Sequence, residues 1–150
     1  MAIDKRELIL ARLFAVYQGI PGIETVVRNK GNLPEDKRPA ISLFDADEEP
    51  DERAWNIPGR VAAAPNLVNL RPETYVTLNA GEENMGTVIN GWRMKILKAV
   101  LLDDDLKTLV GENGAMRYEG CFTDLARERK LEGEIGLRLN FIYVLRPQQL

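Results

Sequence analysis

Six carboxylates crowd one stretch of the chain. Asp45, Asp47, Glu48, Glu49, Asp51 and Glu52 fall within eight consecutive positions. Clustered carboxylates suit hard cations, so Ca²⁺ or Mg²⁺ binding is the first chemistry to test. An EF-hand loop opening at Asp45 would need glycine at its sixth position and glutamate at its twelfth. Pro50 and Asn56 stand there, and the motif fails. The run reads instead as a solvated or partner-facing segment, since unpaired carboxylates are rarely buried. Pro50 lies inside it and Pro58-Gly59 just beyond, which predicts an exposed loop over 46–58. Trp55 follows the acids closely. A bulky aromatic in such surroundings is either folded back onto the body or offered to a partner. Asp45, Asp47, Glu48, Glu49, Asp51, Glu52 and Trp55 are therefore the candidate interface residues.

The other chemistry-bearing groups point to structure. Asp103-Asp104-Asp105 does not converge on one ion, because successive helical residues point about 100° apart; helix capping is the role that fits. Histidine is absent, which removes Ser-His-Asp and Cys-His nucleophile systems, histidine-ligated zinc and histidine general bases. Cys121 is the one cysteine. It excludes an intrachain disulfide or a thiolate cluster, and fits a reducing compartment. With no histidine beside it, Cys121 is expected in the core. Gly19-x-x-Gly22 and Gly111-x-x-Gly114 lack the spacing of a phosphate-binding loop. Trp92 reads as core. Carboxylates distant in sequence can still converge in space, but nothing along the chain assembles a catalytic site. No cofactor or metal is expected, and the protein is expected not to be an enzyme.

Composition agrees. The chain has 150 residues, 45% apolar and 29% charged, which suits one soluble globular domain over 1–150. Its 20 basic and 23 acidic groups give a net charge of -3, too acidic for an obvious nucleic-acid binder. The six clustered acids account for the excess. Asp4, Lys5, Arg6 and Glu7 follow Met1-Ala2-Ile3 at once, so a signal peptide is not expected. No apolar run approaches the roughly 20 residues of a membrane span, and an intracellular, soluble protein is expected.

The elements that must position these groups are legible in part. Asp4 and Glu7 suggest a capping box, Ile3 and Leu8 a hydrophobic staple, and Leu8, Leu10, Leu13, Phe14 and Tyr17 an apolar stripe. Gly19, as a left-handed terminator, and Pro21 would close this first helix. Ile23 to Asn29 and Ala40 to Asp45 read as strands, and the short gap between them favours an antiparallel pair. Arg60 to Ala64 and Glu73 to Asn79 are further extended segments. Pro65, Asn66 and Pro72 suggest an irregular crossover between them, and Ala80 to Glu83 a turn. A long helix is predicted from Asn84 to Leu102, with Met85, Val88, Ile89, Trp92, Ile96 and Val100 on one face. A short helix follows to Val110, ended by Gly111.

The last segment reads as a large hairpin. Met116, Tyr118, Gly120 and Phe122 share one face of its first strand, and Asp124 to Lys130 connects to the second. Leu131 to Leu145 then alternates over roughly fifteen residues, about 50 Å if unbroken. Such a strand either bends at Gly133 or Gly136 or projects beyond the domain. The order of elements predicts an α+β fold: a largely antiparallel sheet, two main helices packed on one face and a long C-terminal hairpin.

These segments together resemble a known family. They are Leu8-Ile9-Leu10-Ala11-Arg12-Leu13, Gly19-Ile20-Pro21-Gly22-Ile23, Val27-Arg28-Asn29, the acidic Leu43-Phe44-Asp45-Ala46-Asp47-Glu48-Glu49, Leu97-Lys98-Ala99-Val100-Leu101, Arg117-Tyr118-Glu119-Gly120-Cys121, and Glu132-Gly133-Glu134-Ile135-Gly136 closing on Phe141-x-Tyr143. Across nearly the whole chain, in element order and general sequence character, they are similar to the tail terminator (tail completion) and minor tail proteins of long-tailed bacteriophages. The resemblance implies a virion protein, assembled in the host cytoplasm. It would form a ring, usually a hexamer, on the head-proximal end of the tail tube, stop tube polymerisation and offer the head its docking surface. Implied partners are further copies of itself, the tail tube protein and a head-completion or neck protein. Genomic DNA would pass through without specific binding, and no membrane is involved. The acids from Asp45 to Glu52 would then face a partner or the lumen. Other neck, connector or head-completion proteins share similar small α+β folds and are the alternative. A small carboxylate-dependent enzyme and a generic protein-binding module are more distant ones.

Overall fold

The structure, a computed structural model, describes residues 4–31, 33–51, 66–79, 84–123 and 133–145. Among these residues, three α-helices and five strands follow in the order α1 (Lys5–Gln18), β1 (Thr25–Arg28), β2 (Ala40–Pro50), β3 (Asn66–Thr77), α2 (Met85–Leu101), α3 (Asp104–Val110), β4 (Ala115–Thr123) and β5 (Glu134–Leu145). The strands form one sheet in the order β1-β2-β3-β5-β4. Every neighbouring pair is antiparallel except β1 with β2. The α+β class expected from the element order is the one observed. Among the described residues, no helix is long and apolar enough to cross a membrane.

Helix ends are set locally. The Asp4 side chain accepts from the backbone N–H of Arg6, and Asp103 accepts from that of Leu106. Each satisfies a donor that the first turn leaves without a partner. Gly111 closes α3 at φ 80°, in the left-handed region that glycine reaches freely. Two details at α1 depart from expectation. Gly19 stays right-handed, at φ -87°. Glu7 reaches away to Arg28, so no capping box closes. Ile3, the proposed staple residue, lies outside the described residues.

The helices pack on one sheet face. Ile9, Leu10, Leu13 and Tyr17 of α1 meet Met85, Ile89, Trp92, Ile96 and Val100 of α2, and Leu106 and Val110 of α3. Beneath them lie Ile41 and Leu43, then Val68, Leu70 and Val76, then Ile135, Leu137, Leu139, Phe141 and Tyr143. The alternation along each strand is the pleat repeat of two. Tyr17 and Thr74, both fully buried, share a hydrogen bond of 2.6 Å across the helix–sheet interface.

Four pairing features differ from the sequence reading. First, β1 and β2 are parallel, with Thr25 opposite Ala40. A parallel pair must carry the chain back to its starting end. Residues 30–39 can span about 33 Å, far more than a four-residue strand requires. Second, the acidic stretch is not a loop as far as Pro50. Residues 46–50 continue β2, pairing Asp47 with Arg71 and Pro50 with Val68. Residues 52–58 of the expected loop lie outside the described residues. So do the expected strand 60–64, the turn 80–83 and the connection 124–130. Third, Pro72 interrupts nothing: β3 runs straight through it. On β2, Asp45 and Ala46 together stand against Pro72, where the register slips by one. Proline has no N–H for a ladder, and a bulge is where an inner strand accommodates one. Ala46 takes φ 53° in this bulge.

Fourth, the final strand does not form an edge. β5 lies between β3 and β4 and is paired along both sides. Its described part begins at Glu134, and the edge strand is β4. Between Tyr118 and Cys121, β4 has its own bulge, Glu119 and Gly120 against Arg138. Gly120 adopts φ 116° there. The extra residue exchanges the faces. Tyr118 packs against the core, whereas Phe122 points to the opposite face and lies over Gly136, where an added Cβ would stand 2.2 Å from the ring. Cys121 stands opposite Leu137, but on an edge strand, and is exposed, not buried as expected.

The Tyr17–Thr74 bond gives a direct test of the interface. Tyr17→Phe leaves a buried hydroxyl without its partner and should cost about 1–3 kcal/mol. Adding Thr74→Val to that variant should recover most of the loss, because both polar groups are then gone. Guanidinium midpoints of the three proteins measure this.

Candidate functional site

Alternation along β2 distributes the acidic stretch over two faces. Asp45 belongs to a bracket at the α1 end of the sheet. Arg28 of β1 donates to both its oxygens, at 2.8 and 3.0 Å, and to both oxygens of Glu7 on α1, at 2.8 and 2.9 Å. One guanidinium thereby ties a helix to two parallel strands with paired, charge-assisted bonds. Hydrogen bonding to Arg28 holds the carboxyls of Asp45 and Glu7 below their ordinary range, more than partial burial raises them. Glu48 lies on the helix-covered side and accepts from the Tyr143 hydroxyl. Burial first, and this bond second, push the Tyr143 phenol well above its usual range. Asp47 and Glu49 are on the other face. Asp51, just past β2, is buried and accepts from the Asn69 amide at 3.1 Å. Glu52 and Trp55 lie outside the described residues. The candidate residues are therefore not one exposed cluster.

The face without helices carries the organised surface, and most of its residues were not singled out in the sequence. At its lower end Phe44, Tyr75 and Phe122 of β2, β3 and β4 stand in a row. Successive ring centroids are 5.6 Å apart and nearly perpendicular, the edge-to-face arrangement that aromatic quadrupoles favour. Arg138 covers Phe122 at 4.8 Å. Tyr75 donates to Glu73, and burial, followed by that carboxylate, pushes its phenol up to about 12. Phe44 and Tyr75 line a cavity of about 500 Å³ together with Arg38, Ser42 and Glu134. Higher up, Arg71 of β3 binds Glu49 of β2 on one side. On the other it reaches over β5 to Glu119 of β4, at 3.0 Å. A second cleft, about 450 Å³, opens around Arg71, Asn69, Asn140 and Arg117.

Among the described residues of this surface, the Tyr75 hydroxyl is engaged with Glu73, and Glu49 and Glu119 with Arg71. Among the described residues, no group of three or more aspartate, glutamate or cysteine side chains is placed to hold a metal ion. Asp103 caps α3 and accepts from Arg12 at 2.7 and 3.0 Å, which lowers its pKa. Trp92 is in the core as expected, with Lys95 over its ring at 4.5 Å.

The Arg28 bracket predicts acid sensitivity. Carboxyls depressed in the folded state contribute stability above their unfolded pKa values, about 3.9 for Asp and 4.3 for Glu. That contribution disappears as pH falls through the lower folded values. The melting temperature should therefore fall from about pH 5 to about pH 2.5. Arg28→Met should melt lower at neutral pH and show a shallower acid slope, read by thermal scans across that range.

Compared with known proteins, the chain matches no family model, and no curated protein matches it.

Proposed function

We propose that this chain is a structural protein of a long-tailed phage. It forms a ring on the head-proximal end of the tail tube, ends tube polymerisation and presents the surface on which the head docks. The sequence resemblance supplies this reading, and one observation supports it physically: the nine-residue edge strand β4. Among the described residues it pairs on one side only, with β5. Nothing among the described residues pairs with its other backbone edge, and an unpaired edge of that length is a template for association. The opposite sheet edge, β1, has four residues. The two ends of the sheet are thus unlike, as rings made by heterologous contacts require.

The uncovered face suits such a position. Around its clefts stand Asp47, Glu49, Asp51, Glu73, Glu119 and Glu134 with Arg38, Arg71, Arg117 and Arg138, acids in excess. Turned to the lumen, an acidic face repels DNA phosphates and lets the strand slide. Turned to the head, it steers a basic docking partner.

Deleting the gene from its phage separates this role from its rival. Tail tubes of uncontrolled length, seen by electron microscopy, are the expected result. Tubes of normal length beside unattached filled heads would overturn it in favour of a head-completion protein. Sedimentation of the purified protein with isolated tail tubes should show co-sedimentation, whether or not the protein is a ring on its own.

A further inference from the structure

Ser42 is 4% exposed, although it lies on the face that the helices leave uncovered. Alternation along β2 sets Ile41 and Leu43 in the core and Ser42 and Phe44 on the other side. Ser42 lines the cavity of about 500 Å³, with Tyr75 directly opposite it on β3. Gly31 and Arg38, from the connection between β1 and β2, line the same cavity. Gly31 lies against the Phe44 ring, where an added Cβ would stand 3.8 Å away. The parallel pairing of β1 and β2 forces this connection to double back, and so brings both residues over the open face.

The polar groups on this wall fall into two sets. The Ser42 hydroxyl has no hydrogen-bond partner among the described residues. Among those residues, Asn140 Oδ1 is the side-chain polar atom that is both unbonded and sealed from solvent. The Ser42 oxygen, unbonded too, is therefore not sealed, and it opens on the cavity that Ser42 lines. Arg38 donates from Nε to the Leu33 carbonyl at 3.1 Å. Its terminal nitrogens have no partner among the described residues, and neither has the Thr77 hydroxyl on the same wall. The carboxylates are the opposite case. Glu73 accepts from Tyr75, and Glu134 is also engaged. The unmet capacity of the cavity is thus donor capacity, which calls for an acceptor.

Shape and charge narrow the occupant. Small-molecule sites enclose about 300–1,000 Å³, and this cavity lies within that range. Phe44 and Tyr75 give it an aromatic wall against which another flat ring packs. One guanidinium and two carboxylates share the lining, so a net charge of either sign on the occupant meets its like. The geometry points to a binding site for a small, uncharged aromatic compound carrying a carbonyl group, such as an aromatic amide. Its ring lies against Phe44 and Tyr75, and its carbonyl oxygen accepts from Ser42 and Arg38. The site does not need the ring of subunits, because one chain supplies all of these residues.

The test is an NMR titration of the full-length protein, following the backbone amides of Ser42, Phe44, Tyr75 and Thr77. The probes are benzamide, its anionic analogue benzoate, its cationic analogue benzylammonium, and acetamide, which lacks the ring. Saturable shifts with benzamide in the millimolar range, and weaker binding of the other three, are the expected result. Ser42→Ala should weaken benzamide about fivefold, the contribution of one neutral hydrogen bond. It should leave the urea midpoint of unfolding at least as high, because the hydroxyl has no partner in the fold to lose. Unchanged benzamide binding in this variant would overturn the proposal, and a lowered midpoint would do so by showing the hydroxyl to be structural. Tighter binding of benzoate or benzylammonium than of benzamide would overturn it in favour of a charged ligand. Acetamide binding as tightly as benzamide would rule out the aromatic wall, and no shift with any probe would refute the site.

Discussion

Pro72 sits inside a central strand without an N–H to contribute, and the sheet is arranged around that deficit. The bulge at Asp45 and Ala46 lies against it, and beyond the bulge β2 runs one residue out of step. By the register of β3 and β5, Pro72 stands opposite Leu139, next to the Arg138 that faces the second bulge. Both irregularities thus fall at one level of the sheet. Bulges increase local twist and re-aim side chains, and here they separate two surfaces. Below the line lies the aromatic row of Phe44, Tyr75 and Phe122. Above it lies the polar cleft of Asn69, Arg71 and Asn140.

The bulges also govern which acids act together. Had β2 kept its first register, Glu48 would share a face with Phe44 and Asp47 would lie on the helix side. The slip sends Glu48 to Tyr143 and leaves Asp47 and Glu49 with Arg71. A composition-level view of the acidic stretch as one patch is therefore misleading: its five described carboxylates serve a helix bracket, a buried tyrosine, an open face and the Asn69 amide.

How much was legible follows from the range of the interactions involved. Asn84, Asp103 and Gly111 mark helix ends within a few residues; the boundaries of α2 were readable to within one residue and the end of α3 at Val110 to the residue. The buried faces of α2 and β5 were readable from period alone. Chain-distant pairing was not. Nothing near Asp47 announces that Arg71 will extend β2 past its hydrophobic part, and nothing near Ile23 says that the connection 30–39 doubles back. The β4 bulge adds one residue to a clean alternation and moves Phe122 to the other face, so the aromatic row could not be assembled from the period. Gly120 was a local hint, since a lone glycine within a strand pattern often marks a bulge. On the same grounds Ile9 replaced Leu8 in the core stripe of α1, a rotation that only packing decides.

The displaced thiol has a practical corollary. The chain's single sulfhydryl, at Cys121, stands at the margin of the sheet and not within its packing. Thiol-directed dyes or spin labels would therefore attach once per chain, with no need to engineer other cysteines away. One subunit carrying a donor fluorophore and another carrying an acceptor would report how copies are spaced around any assembly they build.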